Sequence, residues 1–182
     1  RLLCPVIFSS PFFFNEPHRY TGFYHKSVQS KALPDIFDFL RENLLPTLED
    51  IRLTDEKQRF LVIDRNFDEG VDLSCYGEGI QRMFFLSLLF ASAQHGVILI
   101  DEFENAIHYH LIKPFSIFIY KLAIKFNVQI CLTSHSKECI DALIGGVADL
   151  ESLSCHAVVD TKDGIQTRDF DGLKFKKLLE AG

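Results

Sequence analysis

From Gly79 to about Ala93 the chain is almost continuously apolar, a pattern that predicts a helix buried on most sides. Two shorter apolar runs follow. GVILIDE, ending in Asp101-Glu102, is apolar on both faces and predicts a central strand, and VQICLTS (Val128–Ser134) predicts the next buried one. Between them Leu111, Phe115, Phe118, Ile119, Leu122 and Phe126 recur at helical spacing over residues 111–126, leaving Lys113, Lys121 and Lys125 for solvent. Strand, helix and strand with short connections make a βαβ unit, hence a parallel pair joined right-handedly.

The flanks are more broken. LCPVIFSS (Leu3–Ser10) predicts a short buried strand, and PFFFNEPHRYTG, with two prolines and a glycine, predicts a loop. Asp35 is placed to cap a helix through IFDFLRENLL, with Ile36, Phe37, Leu40 and Leu44 on one face and Pro46 ending it. RFLVID (Arg59–Asp64) predicts a strand and RNFDEGVD a polar turn region. A Ser136-capped helix should run through Leu143 until Gly145-Gly146 breaks it. CHAVVDT-KDG-IQTRDF predicts a hairpin turning near Asp163-Gly164, and LKFKKLLEA a short amphipathic helix. With no repeat and no low-complexity linker, residues 1–182 read as one α/β domain, a mainly parallel sheet flanked by helices with a terminal β-hairpin. Its parts are lead-in strands and helix in 1–72, a core in 73–144, and hairpin and terminal helix in 145–182.

Composition narrows the class. The chain is 47% hydrophobic and 24% charged, which fits a folded globular domain, and 18 phenylalanines with no tryptophan imply an aromatic core. A formal net charge of −6 excludes a domain that binds polyanions nonspecifically over its whole surface. Cysteines 4, 75, 131, 139 and 155 form no CxxC pair and no zinc spacing, so reduced core thiols and a cytoplasmic location are expected. MFFLSLLFASA stops at Gln94-His95-Gly96, short of the roughly 20 residues a membrane helix needs, and no secretory leader is visible; no membrane partner is expected. The chain opens on Arg1 and its one methionine is Met83, which reads as a piece of a longer protein.

Candidate chemistry gathers after the central strand. VILIDEFEN sets Asp101, Glu102 and Glu104 close together, and such charges repel unless a cation, a reaction or solvent accounts for them. Functional groups of a parallel sheet collect at the carboxyl ends of its strands, and the next strand ends in Thr133-Ser134-His135-Ser136. An aspartate there suits Mg²⁺, the adjacent glutamate suits orienting or deprotonating a water that attacks a phosphate, and His135 suits a hydrogen bond to that phosphate. Carboxylates merely solvated in a surface loop are the plain alternative. In SCYGEGIQR (Ser74–Arg82) two glycines flank Glu78 directly before the long helix, where free N–H groups and a partial positive charge suit an anion; a simple turn and cap fits equally.

Taken in order, YGEGIQR…VILIDEFENAIH…CLTSHS resembles the signature, Walker B, D-loop and switch-histidine motifs of ABC-type ATPases, and more narrowly the OLD-like and RecF-like group. The similarity covers residues 73–144, and LLPTLEDIRL (44–53) resembles the segment preceding the signature. The resemblance implies a P-loop NTPase fold of the ABC type with ATP and Mg²⁺ as cofactors. It implies Asp101 as the metal carboxylate, Glu102 as the catalytic one and His135 as the switch histidine, with Ser134 and Ser136 beside it. Gly77, Glu78 and Gly79, with Ser74, would form the signature loop that closes over the nucleotide of a partner subunit. Such proteins self-associate through a nucleotide sandwich and serve prokaryotic anti-phage defence or DNA maintenance, with an effector protein or DNA as further partners. Glu104 and His108 lie where the group runs from Walker B into the dimer-facing loop; a helix-start acid and a surface histidine are the alternatives.

Three departures stand out. Tyr76 precedes Gly77 where many signatures have serine, and Ala106 stands where the group often has glycine. No G-x-x-x-x-G-K-[ST] occurs, so the phosphate cradle is missing and this piece alone is expected to bind ATP poorly or not at all; ATP hydrolysis is expected of the full-length protein. A metal-dependent nuclease using Asp101, Glu102 and Glu104, or a non-catalytic scaffold, are the competing readings. His108 and His110, two apart on a predicted helix, should point away from each other and share no metal. Asp160 and Asp163 fail the spacing of a Toprim nuclease and suit a turn.

Overall fold

Residues 4–12, 17–54, 59–162 and 164–181 are described in the computed structural model of the chain. Along it run β1 (Val6–Ser9), α1 (Pro17–Gln29), α2 (Leu33–Asn43), β2 (Leu48–Leu53), β3 (Phe60–Asp64), β4 (Val71–Asp72), α3 (Glu78–Ser92) and β5 (Val97–Ile100). Then come α4 (Tyr109–Phe126), β6 (Gln129–Leu132), α5 (Lys137–Gly146), β7 (Ser154–Thr161), β8 (Gly164–Asp171) and α6 (Gly172–Ala181). Short 3-10 turns occupy Leu73–Tyr76 and Leu150–Ser152. The expected strand start at Leu3, residues 13–16 of the expected loop, and Asp163 of the hairpin turn lie outside the described residues.

The βαβ unit forms as its hydrophobic periods dictate. β5 and β6 are parallel, with Ile98 opposite Ile130 and Ile100 opposite Leu132, and α4 crosses between them. β1 pairs in parallel with the other edge of β5, so β5 is central in the order β1-β5-β6. Ile98 and Ile100 are buried in one cluster with α3 and α4. The opposite face differs from the expectation: Val97 and Leu99 are half-buried, while Val6 and Phe8 remain 49% and 55% exposed. Alternating burial of a fully apolar strand means that helices cover the sheet on one side within the described residues.

A second sheet, β2-β3-β4, is antiparallel and buries Leu48, Ile51, Phe60 and Val62. Phe60 meets Phe84 edge-on at 5.4 Å, which locks this sheet onto α3. The phenylalanines form an aromatic core in which Phe39 stacks on Phe118 at 4.5 Å and Phe103 on Phe115 at 5.7 Å. Each such ring contributes about 1.5–3 kcal/mol by burial, with stacked pairs adding about 0.5–1.5. At the other end β7 and β8 make the expected hairpin, Thr161 opposite Gly164, and α6 follows.

Several local expectations need correction. From Pro17 to Gly22 the expected loop is helix, because Pro17 occupies the first helical turn, where a missing N–H costs nothing, and Tyr20 stacks on Phe85 at 4.0 Å. Asp35 does not cap α2; the N-cap is Ala32, and Asp35 in the first turn takes an ion pair from Lys125, which is therefore not merely solvated. Gly145 and Gly146 end α5 from inside, and a Cβ on Gly146 would lie 3.1 Å from Ser116 Cβ, so the glycine lets α5 press against α4. Of the five thiols only Cys139 is buried; Cys75 and Cys131 are exposed. Among the described residues no helix is long and apolar enough to cross a membrane.

Candidate functional site

The parallel register brings the ends of β5 and β6 to one rim. Thr133 N–H donates to Ile100 O at 2.9 Å, and Asp101 N–H to Ser9 O at 2.9 Å. The Thr133 hydroxyl then donates to Asp101 Oδ1 at 2.6 Å and accepts from Glu102 N–H at 3.0 Å, while Phe103 N–H donates to Thr133 O at 3.0 Å. One threonine thus ties the acid tip to the neighbouring strand end. Glu102 sits at φ +48°, a left-handed conformation that costs a non-glycine residue about 1 kcal/mol or more, and its Oε2 receives a long bond of 3.4 Å from Asn105 Nδ2. Glu102 and Asp101 are both half-buried residues at the rim.

Glu104 turns away from these two. Its Oε1 accepts the His135 N–H at 2.9 Å. Burial pushes its carboxyl up, but the polar groups facing it, its own N–H, the bonded His135 N–H and the nearby Ser134 hydroxyl and Ser136 N–H, outweigh that and hold it below the usual range. Its buried Oε2 has no hydrogen-bond partner among the described residues. The Ser134 hydroxyl accepts from Ser136 N–H at 3.2 Å, and Ser136 caps α5 by accepting from Cys139 N–H at 3.2 Å. The His135 side chain is exposed at the same rim. Cys139, buried behind this turn, has its thiol pushed up to about 11, chiefly by burial.

The glycine-led helix docks on the loop after β5. Gly77, the N-cap of α3, has φ +86° and ψ 158°, a region open essentially to glycine alone. A Cβ on Gly79 would come within 2.7 Å of Ala106 O, so glycine is required there for backbone contact between the signature-like turn and the loop. Ala106 itself has φ +60°, which explains why glycine suits this place. Glu78 is exposed in the first turn, where its charge complements the helix dipole. Ser74 is committed elsewhere: its hydroxyl donates to Asp72 Oδ1 at 2.6 Å, and Asp72 caps the 3-10 turn, its carboxyl lowered first by that bond.

Three residues in this web had no role in the sequence reading. Arg82, 1% exposed, sends Nη1 to Ser10 O at 3.0 Å and Nη2 to Asp101 O at 3.1 Å and Glu102 O at 3.4 Å. Burial lowers its pKa from the ordinary arginine range, against the pull of Tyr20, Asp101 and Glu102. An arginine interrupting an apolar helix run was the available signal. Thr133 and Asn105 gave none, because only the strand register reveals their partners.

The structure therefore brings together Asp101, Glu102, Glu104, Ser134 and His135, and links Gly77–Gly79 to them through Ala106; Ser74 faces Asp72 instead. His108 is the N-cap of α4 rather than a helical residue, so its ring stacks with that of His110 at 5.2 Å instead of pointing apart. Among the described residues no three His, Cys, Asp or Glu side chains converge on a common metal position. Asp101 nonetheless fits Mg²⁺, which takes one or two protein carboxylates and otherwise water and phosphate oxygens.

Comparison with known proteins gives two kinds of match. The family described as "AAA domain, putative AbiEii toxin, Type IV TA system" matches residues 7–141. No curated protein matches. A solved structure from "Structural biochemistry of ATP-driven dimerization and DNA stimulated activation of SMC ATPases" superposes with a TM-score of 0.52 at 15% identity, covering 86% of this chain and 96% of that one. The Smc head domain with an extended coiled coil bound to the C-terminal domain of ScpA, from Pyrococcus furiosus, gives a TM-score of 0.54 at 12% identity, covering 93% of this chain and 42% of that one. At these identities the likeness is one of fold: the α/β fold of SMC ATPase heads, with a parallel sheet flanked by helices.

Proposed function

This chain belongs to the AAA domain family matched over residues 7–141, and on that premise we propose that it is the signature, Walker B and switch portion of an ABC-type ATPase of the OLD-like or RecF-like group. The observation that carries the reading is the 2.6 Å bond from Thr133 to Asp101, which sets two carboxylates and the His135 loop on one rim. Asp101 would hold Mg²⁺, which offsets phosphate charge when bound. Glu102, steadied by Asn105, accepts the proton of a water as its oxygen bonds to the γ-phosphorus and the β–γ bridging bond breaks. His135 donates a hydrogen bond to a γ-phosphate oxygen. The Gly77–Gly79 turn offers helix N-terminal N–H groups to the nucleotide of a second copy, so that ATP gates a dimer.

The cradle for the phosphates has no counterpart in these 182 residues and is supplied from outside them, so this portion alone binds ATP weakly. A cytoplasmic role in prokaryotic anti-phage defence or DNA maintenance, controlling an effector or acting at DNA, completes the reading. The three-carboxylate nuclease lacks comparable support, since Glu104 is turned to His135 N–H and Glu102 to Asn105. Assayed with the phosphate-binding part present, the protein should release phosphate from ATP with Mg²⁺, and Asp101→Ala should cut the rate by about 100-fold or more. Mg²⁺- or Mn²⁺-dependent nucleic-acid cleavage lost in Asp101→Ala, with no ATP turnover in the parent, would overturn the proposal.

A further inference from the structure

We infer that Glu104 is the positioning residue that ties the loop after β6, and with it the His135 imidazole, to the acid loop after β5. The inference rests on the ATPase reading for its consequence but on geometry for its contact. His135 lies between the end of β6 and the Ser136 cap of α5, in no regular element, with its side chain exposed. The Thr133 bonds fix the chain two residues earlier, and the Ser136 cap fixes it one residue later. The Glu104 Oε1 bond at 2.9 Å is what fixes the peptide of His135 itself.

Glu104 is a firm post for this task. Its own carbonyl accepts Ile107 N–H at 3.0 Å, and Asn105 N–H donates to Glu102 O at 3.0 Å. Phe103, fully buried, stacks on Phe115 directly before it. A charged acceptor makes a stronger bond to a peptide N–H than a neutral one, and the carboxyl of Glu104 is held below the usual carboxylate range. Aspartate, one methylene shorter from the same backbone, would fall short of His135 N–H. The same loop meets Gly79 through Ala106 O, so a shift of His135 on its phosphate reaches the signature turn through a single loop.

The test uses the protein together with a phosphate-binding part, on this chain or a partner. Glu104→Ala should lower kcat about tenfold while the KM for ATP stays within about threefold, because the imidazole is misplaced rather than the nucleotide lost. Glu104→Gln, which keeps one acceptor, should retain most of the rate. The Glu104→Ala/His135→Ala double variant should be no slower than His135→Ala alone, since both changes act through one group. Amide exchange at His135 should be accelerated in Glu104→Ala and close to the parent in Glu104→Gln. A Glu104→Ala enzyme at the parental kcat, multiplying losses in the double variant, or unchanged exchange at His135 would overturn the inference; should Glu104→Ala fail to fold, a Glu104→Gln enzyme as slow as His135→Ala would do the same. A parent chain that never hydrolyses ATP, with His135 exchange still accelerated in Glu104→Ala, would overturn the ATPase reading and support the contact.

Discussion

Single residues at this rim adopt conformations that only their surroundings justify. Ala106 at φ +60° carries left-handed strain on a loop whose carbonyl faces Gly79. Ala106→Gly should therefore stabilise the protein by about 0.5–1 kcal/mol, read as a higher urea midpoint at unchanged slope. The opposite change at Gly79 brings a Cβ to 2.7 Å from a backbone oxygen, and Gly79→Ala should cost about 1–3 kcal/mol in the same experiment. Glu104 supplies a pH signature. Its carboxyl is held below the ordinary 4.5, so in that window the unfolded chain binds more protons and stability rises with pH. This contribution is complete above the unfolded value and lost as pH falls through the folded one; Glu104→Gln should flatten that part of the acid limb of a stability–pH curve. The sequence marked Ala106 and Glu104 as notable but could not say why, because their partners lie on α3 and beyond β6.

Among the elements, α3 does the joining. Its apolar residues fill the core, its glycine-led start meets the loop after β5, and Arg82 clamps carbonyls from the ends of both β1 and β5. Arg82→Met would leave three half-buried acceptors without this donor and should cost about 2–4 kcal/mol in chemical unfolding. Arg82→Lys should rescue little, because an ammonium cannot reproduce the planar fork. The helix α3 was legible in the apolar run, as were α4, β5 and β6, since their periods are long and clean. α1 was not, because two prolines and a glycine outweighed a helical pattern whose support comes from Tyr20 on Phe85. β2 was hidden for a similar reason: LEDIRL alternates weakly, and pairing with β3 makes it a strand.

At the scale of the whole molecule, the parallel sheet, its strand ends and the terminal hairpin followed from the sequence, and the family match and the SMC-like fold agree with them. What pattern alone missed is the one-sided cover of that sheet. An apolar strand suggests burial on both faces, yet Val6 and Phe8 stand exposed because burial depends on what packs opposite, not on the strand's own residues. The site was legible as a list of residues and illegible as a set of bonds. The proposed chemistry comes down to Glu102 on a rim shared with His135. Assayed together with a phosphate-binding part, on this chain or a partner, Glu102→Gln should still bind ATP, lose hydrolysis by about 100-fold or more, and accumulate as an ATP-dependent dimer in light scattering. A Glu102→Gln protein that turns over ATP at the parental rate, or stays monomeric at saturating ATP, would contradict the account.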